Sequence, residues 1–472
     1  MASTMNILGT YSGITMDTIE QLVQAEANKV VKYTNEQEEI KQEQTVWKDI
    51  QTRLDNLASK LSDLMKPESF ESKKVTASPE GKVVFTAGTK AISGDYSITV
   101  SKLATRTQVT GNKLNLSETK ITEAWGKNGT LKLTSQKSDQ SDEAKSIEIE
   151  ITAEDSLEKV MNKINDKTKD SGISAVMIDN RIVLQEQAFG DRTISIEGDI
   201  AKDLGLENSE TRKGQAANLT VNGIPITRDS NQITDVMDGV TLDLKAVTSE
   251  PIQVSVEDDL QKASDTVKAF VDQYNSTLKF IEEKLDVGDP SKEDNKTGAL
   301  SGDSSLMRLQ SQLRSLLTQA VDNGNKGMNT AEAVGITVDR YGAATLDEGK
   351  LKEALKENPQ KVMDLFSFTK TTEVTEDGTT VTKKEEVGLA QKFNTLLNSF
   401  TDSKEGVIAT KNETYDKLIK DLNKRIETFN ERLEVKRKGY IEQFTALDIA
   451  MMEAESQLSY LMSQVGTTNG NK

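Results

Sequence analysis

The sequence predicts a multidomain α+β protein in which long terminal helices form an α-helical coiled-coil or bundle stem, with two nested antiparallel β-rich head domains inserted. Three observations carry this expectation. An apolar ladder of helical spacing runs from Tyr415 to Val465, a second of comparable length lies between Asp17 and Met65, and the residues between about 67 and 256 change to a period of two. The 472 residues also exceed what a single hydrophobic core supports, so several domains are expected.

Residues 1–16, rich in Ser, Thr, Gly and Met, carry no sustained period and read as a flexible segment. Asp17 with Glu20 three residues on gives a capping-box-like helix start. The predicted N-terminal stem helix, 17–66, repeats Tyr33, Ile40, Trp47, Leu54 and Leu61 at seven, supported by Ile50, Leu57 and Leu64, and ends at Pro67. A β-rich head domain is expected from 67–103 together with 215–256. Its strands alternate at Lys82–Ala87, Tyr96–Val100, Val240–Leu244 and Ile252–Val256. Residues 104–214 read as an inserted outer α+β head domain, where Asp155-Ser156-Leu157-Glu158 is a second capping box opening a short amphipathic helix through Leu157, Val160, Met161 and Ile164.

Helical spacing returns in a stem domain at 257–410, over Ala263–Leu285 and Ser304–Val321, with a hairpin at Gly335–Leu346 and short helices at 348–357 and 359–366. Residues 369–386, around Asp377-Gly378, read as an exposed hairpin or disordered loop. The C-terminal stem helix, 411–465, carries Tyr415, Leu418, Leu422, Ile426, Phe429, Leu433, Tyr440, Phe444, Leu447, Met451, Leu458 and Leu461, followed by a flexible tail at 466–472. Steps of four plus four, as in Lys436 to Tyr440 to Phe444, drift this seam relative to a strict heptad. At roughly 1.5 Å per residue each terminal helix would be about 70 Å long, and neither satisfies its apolar seam alone, so the two ends are expected to pair. The residues predicted to pack the stem are therefore Tyr33, Ile40, Trp47, Leu54 and Leu61 on one helix, and Leu422, Phe429, Leu433, Tyr440, Phe444, Leu447, Met451, Leu458 and Leu461 on the other.

Composition narrows function. A formal net charge of −17 opposes binding to nucleic acid or an anionic membrane. There is no cysteine and no histidine, which removes disulfides, thiolate nucleophiles, the usual zinc sites and imidazole bases together. Carboxylate pairs such as Glu148/Glu150 or Asp258/Asp259 are normal surface acids in a chain with 76 of them, and the acidic loop Asp286–Gly302 lacks the alternate spacing of a calcium site. No catalytic, cofactor-binding or metal residue is nominated, and the chain is not expected to be an enzyme. Residues Met1–Met16 have neither a basic n-region nor an apolar h-region, so the general secretory route is not signalled, and no apolar run reaches bilayer length.

Five stretches in order resemble the bacterial flagellar filament cap family (FliD, flagellar hook-associated protein 2). They are Gly13-Ile14-Thr15-Met16-Asp17-Thr18-Ile19-Glu20-Gln21-Leu22-Val23; Gly94-Asp95-Tyr96-Ser97-Ile98-Thr99-Val100; Leu157 to Leu184; Asp238-Gly239-Val240-Thr241-Leu242 followed by Phe270-Val271-Asp272-Gln273-Tyr274-Asn275; and Gln443-Phe444-Thr445-Ala446-Leu447-Asp448 before Leu458-Ser459-Tyr460-Leu461. The resemblance implies a secreted structural protein of the bacterial flagellum, exported through the filament channel to the distal tip. There it would assemble as a homo-oligomeric ring, a pentamer or hexamer, that guides folding and insertion of flagellin. It implies hook-filament junction proteins, an export chaperone and the flagellar type III export apparatus as further partners, with transit of an unfolded chain permitted by the absence of disulfides. The alternatives are another axial protein, flagellin or a hook-filament junction protein, or an added role as a tip adhesin for a host mucin or surface. The order of the motifs favours the cap.

Overall fold

The structure, a computed structural model, describes residues 8–116, 121–292, 295–376 and 379–468, with side chains described in all but 374–376, 379–381 and 464–468. Residues 1–7 of the predicted flexible segment, the Asp377-Gly378 turn, the side chain of the Val465 rung and residues 469–472 of the predicted tail lie outside these, while residues 466–468, predicted as the start of the flexible tail, continue the C-terminal helix. The chain forms two compact units, Met1–Lys66 with Ser264–Lys472, and Pro67–Ala263.

The first unit opens with α1 (Met16–Leu64), whose N-cap, Thr15, makes no side-chain capping bond. The predicted capping box at Asp17 and Glu20 does not form, because the helix already begins at Met16. Asp17 instead lies in the first turn, where its charge complements the helix dipole.

The second unit is built from β1 (Lys73–Ser78), β2 (Val83–Ala87), β3 (Gly94–Lys102), β4 (Gln108–Thr110), β5 (Gly129–Lys137), β6 (Lys145–Ile151), α2 (Leu157–Asp166), α3 (Thr168–Ser171), β7 (Ile173–Ile178), β8 (Arg181–Glu186), β9 (Arg192–Glu197), β10 (Glu210–Arg212), β11 (Ala217–Val221), β12 (Ile224–Arg228), β13 (Gln232–Met237), β14 (Val240–Leu244) and β15 (Ile252–Asp258). Strands from either side of residues 104–214 interleave in one antiparallel sheet of order β1-β15-β3-β11-β12, and again in β13-β14-β2. Their alternating inward residues, Ile98, Val100, Leu219, Leu242, Ile252 and Val254 among them, make one buried core. A separate core in residues 109–206 joins the sheets β10-β4-β8-β7 and β6-β5-β9 to α2 through Leu133, Ile149, Leu157, Ile164 and Leu184.

The start of α2 differs from the expected capping box. Ser156 is the N-cap and its hydroxyl accepts from the Lys159 N–H at 3.1 Å. Asp155 is instead fully buried, accepting the Thr152 N–H at 2.8 Å and pairing with Lys159 at 2.8 Å and with Lys163. A hydroxyl one residue closer to the helix takes the capping position and frees the carboxylate for the two lysines.

The first unit resumes with α4 (Leu260–Leu285, within this unit from Ser264), α5 (Ser304–Thr318), the hairpin β16 (Ile336–Val338) and β17 (Ala344–Leu346), α6 (Glu348–Glu357), α7 (Pro359–Phe366), β18 (Thr369–Glu376), β19 (Thr379–Glu386), α8 (Leu389–Thr401) and α9 (Val407–Thr468). Phe270, Tyr274 and Phe393 form an aromatic centre, with Phe270 edge-on to Phe393 at 5.8 Å. The Tyr274-Asn275 pair is explained by the hairpin beside it. The Tyr274 hydroxyl donates to the Gly342 carbonyl at 2.9 Å, and Asn275 both donates to the Ala344 carbonyl at 2.7 Å and accepts its N–H at 2.8 Å. Residues 369–386 pair as an antiparallel hairpin from Thr369↔Glu386 to Glu376↔Thr379.

Candidate functional site

The residues predicted to act are those that join the two ends of the chain. In the first unit α1 and α9 pack together antiparallel, and α1 also packs on α8. Polar contacts mark the register. Gln44 donates to Asp416 at 2.9 Å, Gln37 donates to Asn423 at 2.7 Å, Glu26 pairs with Lys436, and Glu20 pairs with Arg437. The exposed ion pairs are screened by solvent and contribute little to stability. Lys436 beside Glu26 holds that carboxyl below its ordinary range, and Glu26 raises the lysine in return.

Along α1, Trp47, Leu54 and Leu61 are completely buried, while Tyr33 and Ile40 are half-buried. Trp47 meets the first turns of α9, where the Lys411 ammonium lies 5.0 Å from its ring centre. Leu54 and Leu61 pack elsewhere. With Gln44 opposite Asp416, the later part of α1 lies past the start of α9 at Val407 and meets α8 instead.

Along α9, Leu422 is buried and Phe429, Leu433, Tyr440 and Phe444 are half-buried, with the last two rings stacked at 6.1 Å. Four predicted rungs are corrected. Leu447, Met451, Leu458 and Leu461 are 43%, 41%, 59% and 57% exposed. Leu447 misses the seam by one position, because the four-residue steps carry the buried line through Phe444 and Thr445 to Asp448. Met451, Leu458 and Leu461 belong to a stretch, Met451–Ser463, whose side chains are all exposed. Leu418 is likewise 45% exposed, and its neighbour Ile419 takes the inner position.

Sequence reasoning missed Asp448. It is a fully buried carboxylate, and it accepts three backbone N–H groups from the turn preceding α1: Gly9 at 2.7 Å, Tyr11 at 3.0 Å and Ser12 at 2.6 Å. Gly9 and Gly13 both have positive φ, which the turn needs in order to aim successive N–H groups at one point. Burial pushes the Asp448 carboxyl up, but the N–H groups of Gly9, Ser12 and Tyr11 outweigh it and hold the group below the usual carboxylate range. An apolar-periodicity reading discounts a carboxylate in a seam. The signals available were its place four residues after Phe444 and its position at the end of the Gln443-Phe444-Thr445-Ala446-Leu447-Asp448 motif. Among the described residues no cluster of three or more potential metal ligands occurs, and no helix is long and apolar enough to cross a membrane.

The chain is a mixed α+β protein whose two ends pair as helices within one unit while the residues between them include a second, β-rich unit, and comparison with known proteins specifies its family. Family models described as the flagellar hook-associated protein 2 N-terminus and C-terminus match residues 12–107 and 214–456, and one for the flagellin hook IN motif matches 129–186. Flagellar hook-associated protein 2 of Salmonella typhimurium is 30% identical over 389 residues, covering 78% of this chain and 77% of its own. The Escherichia coli K12 protein of the same name is 28% identical over the whole of both chains. A crystal structure of the Escherichia coli flagellar cap protein FliD, domains D1-D2-D3, is 26% identical with a TM-score of 0.59 and covers 79% of this chain and 99% of that one. The chain belongs to the flagellar hook-associated protein 2 family.

Proposed function

We propose that this chain is the structural cap at the distal end of a bacterial flagellar filament, secreted through the filament channel and assembled there as an oligomeric ring. The ring guides folding and insertion of exported flagellin. The observation that carries the reading is the family match at both ends of the chain, together with the likeness to the Escherichia coli flagellar cap protein across the greater part of the fold. The action is mechanical rather than catalytic, with the paired α1 and α9 engaging the filament while neighbouring copies hold one another in the ring. Flagellin, the hook-filament junction proteins and an export chaperone are the partners in this reading, the chaperone meeting the end of the chain after Gly466. The eight residues Tyr33, Ile40, Trp47, Leu422, Phe429, Leu433, Tyr440 and Phe444 are proposed to hold the stem together.

Deleting the chain from its own bacterium tests the proposal. Flagellin is expected to leak into the medium while filaments fail to elongate, with filament growth restored when the full chain is supplied. Filaments of normal length in the deletion strain would overturn it.

A further inference from the structure

Away from the completely buried Trp47, Leu54 and Leu61, the seam between α1 and α9 does not by itself choose a register. On α1 the inward positions Ile19, Val23, Val30, Tyr33 and Ile40 recur at three, four or seven, and on α9 Ile419, Leu422, Ile426, Phe429 and Leu433 do the same. Sliding one helix by seven residues sets apolar positions against apolar positions again. Most of these are only half-buried, so this outer part of the seam loses little packing in a slipped form, whereas the completely buried Trp47, Leu54 and Leu61 hold the register only at the inner end of α1. The exposed pairs Glu20/Arg437 and Glu26/Lys436 discriminate weakly, since long surface side chains find new partners.

Asp448 differs in kind. It is a buried charge whose three donors all come from one short turn, and that turn is joined to α1 by only a few residues. We propose that Asp448 is the register pin of the paired helices: the turn at residues 9–13 closes around its carboxylate in one alignment only, and every slipped alignment strands a buried negative charge. A polar group inside an apolar seam that selects one alignment at a cost in stability is a known physical device. The buried Gln37, which donates to Asn423 at 2.7 Å, is a second and weaker pin. Neither is a catalytic residue; each acts through the positioning of the helices. The inference stands whether or not the chain caps a filament.

The absence of cysteine makes the test direct. In the full chain, Glu20→Cys is combined either with Arg437→Cys, which reports the observed register, or with Asn430→Cys, which reports a slip of seven. A short bis-maleimide is then applied, and the intramolecular product is identified by its mass. With Asp448 present, only the Arg437→Cys pair is expected to link. With Asp448→Leu, which keeps the seam apolar and the helices paired, both pairs are expected to link. The same link pattern in both backgrounds would overturn the proposal. Amide exchange supplies a second readout that does not depend on the leucine variant. The N–H groups of Gly9, Tyr11 and Ser12 are expected to be protected in the parent and to exchange at least tenfold faster in Asp448→Ser. Equal rates would overturn the latch itself.

Discussion

Asp155 and Asn275 show how single side chains carry more than their residue type announces. Asp155 is buried against Lys159 and Lys163, and these contacts, with the Thr152 N–H, hold its carboxyl well below the usual range. A depressed folded value means that the stabilisation is fully present above the unfolded carboxylate value, near pH 4, and is lost as the pH falls below it. The core around α2 should therefore weaken below about pH 4 in the parent, and Asp155→Asn should flatten that dependence. Trp47→Phe leaves Trp125, which packs on this core, as the one tryptophan. Urea unfolding followed by its fluorescence at pH 7 and pH 3.5 checks the prediction, and identical pH profiles for the two proteins would count against it. Asn275 binds both the N–H and the carbonyl of Ala344, so Asn275→Ala leaves two backbone groups of the hairpin without their partners. It should destabilise the first unit by about 1–3 kcal/mol, measured in the same way with Trp47 as reporter.

At the scale of elements, α9 is held by a lean seam, and two substitutions probe it in opposite directions. Phe444 stacks on Tyr440 at the last paired turns, so Phe444→Glu should separate this end of α9 from α1 while each helix persists. Loss of the Glu20/Arg437 maleimide link with little change in far-ultraviolet circular dichroism is the expected result. Retention of the link would show that the ring is dispensable. Gly439 lies inside α9 with nothing within 4 Å of the place a Cβ would occupy. Gly439→Ala should therefore raise helix stability by roughly 0.5–1 kcal/mol, seen as a higher melting temperature of the helical signal.

Elements of this kind were largely legible in the sequence. A helix as long as α1 or α9 repeats its pattern many times, and strands such as Val240–Leu244 alternate cleanly. What escaped was local competition and long-range pairing. Three-residue strands at Gln108–Thr110 and Glu210–Arg212 are too short to display a period. Ser156 and Asp155 compete for one cap, and only packing decides between them. The drift of the α9 seam from Leu447 to Asp448 is a rotation of one residue that apolar counting resolves in favour of leucine. The carboxylate is bound there because a turn more than four hundred residues away supplies its donors.

At the scale of the whole molecule, the family match and the paired ends of the chain lead to one expectation, that the chain works as a closed assembly of identical copies. Contacts that close into a ring fix one copy number, whereas contacts that do not close give an open series of lengths. The mass of the purified full-length chain in solution, measured across a range of concentrations together with two-dimensional class averages of the same sample, tests this most directly. The account predicts a single discrete multiple of the chain mass and ring-shaped averages. A monomer at all concentrations, or a ladder of masses that lengthens with concentration, would contradict it.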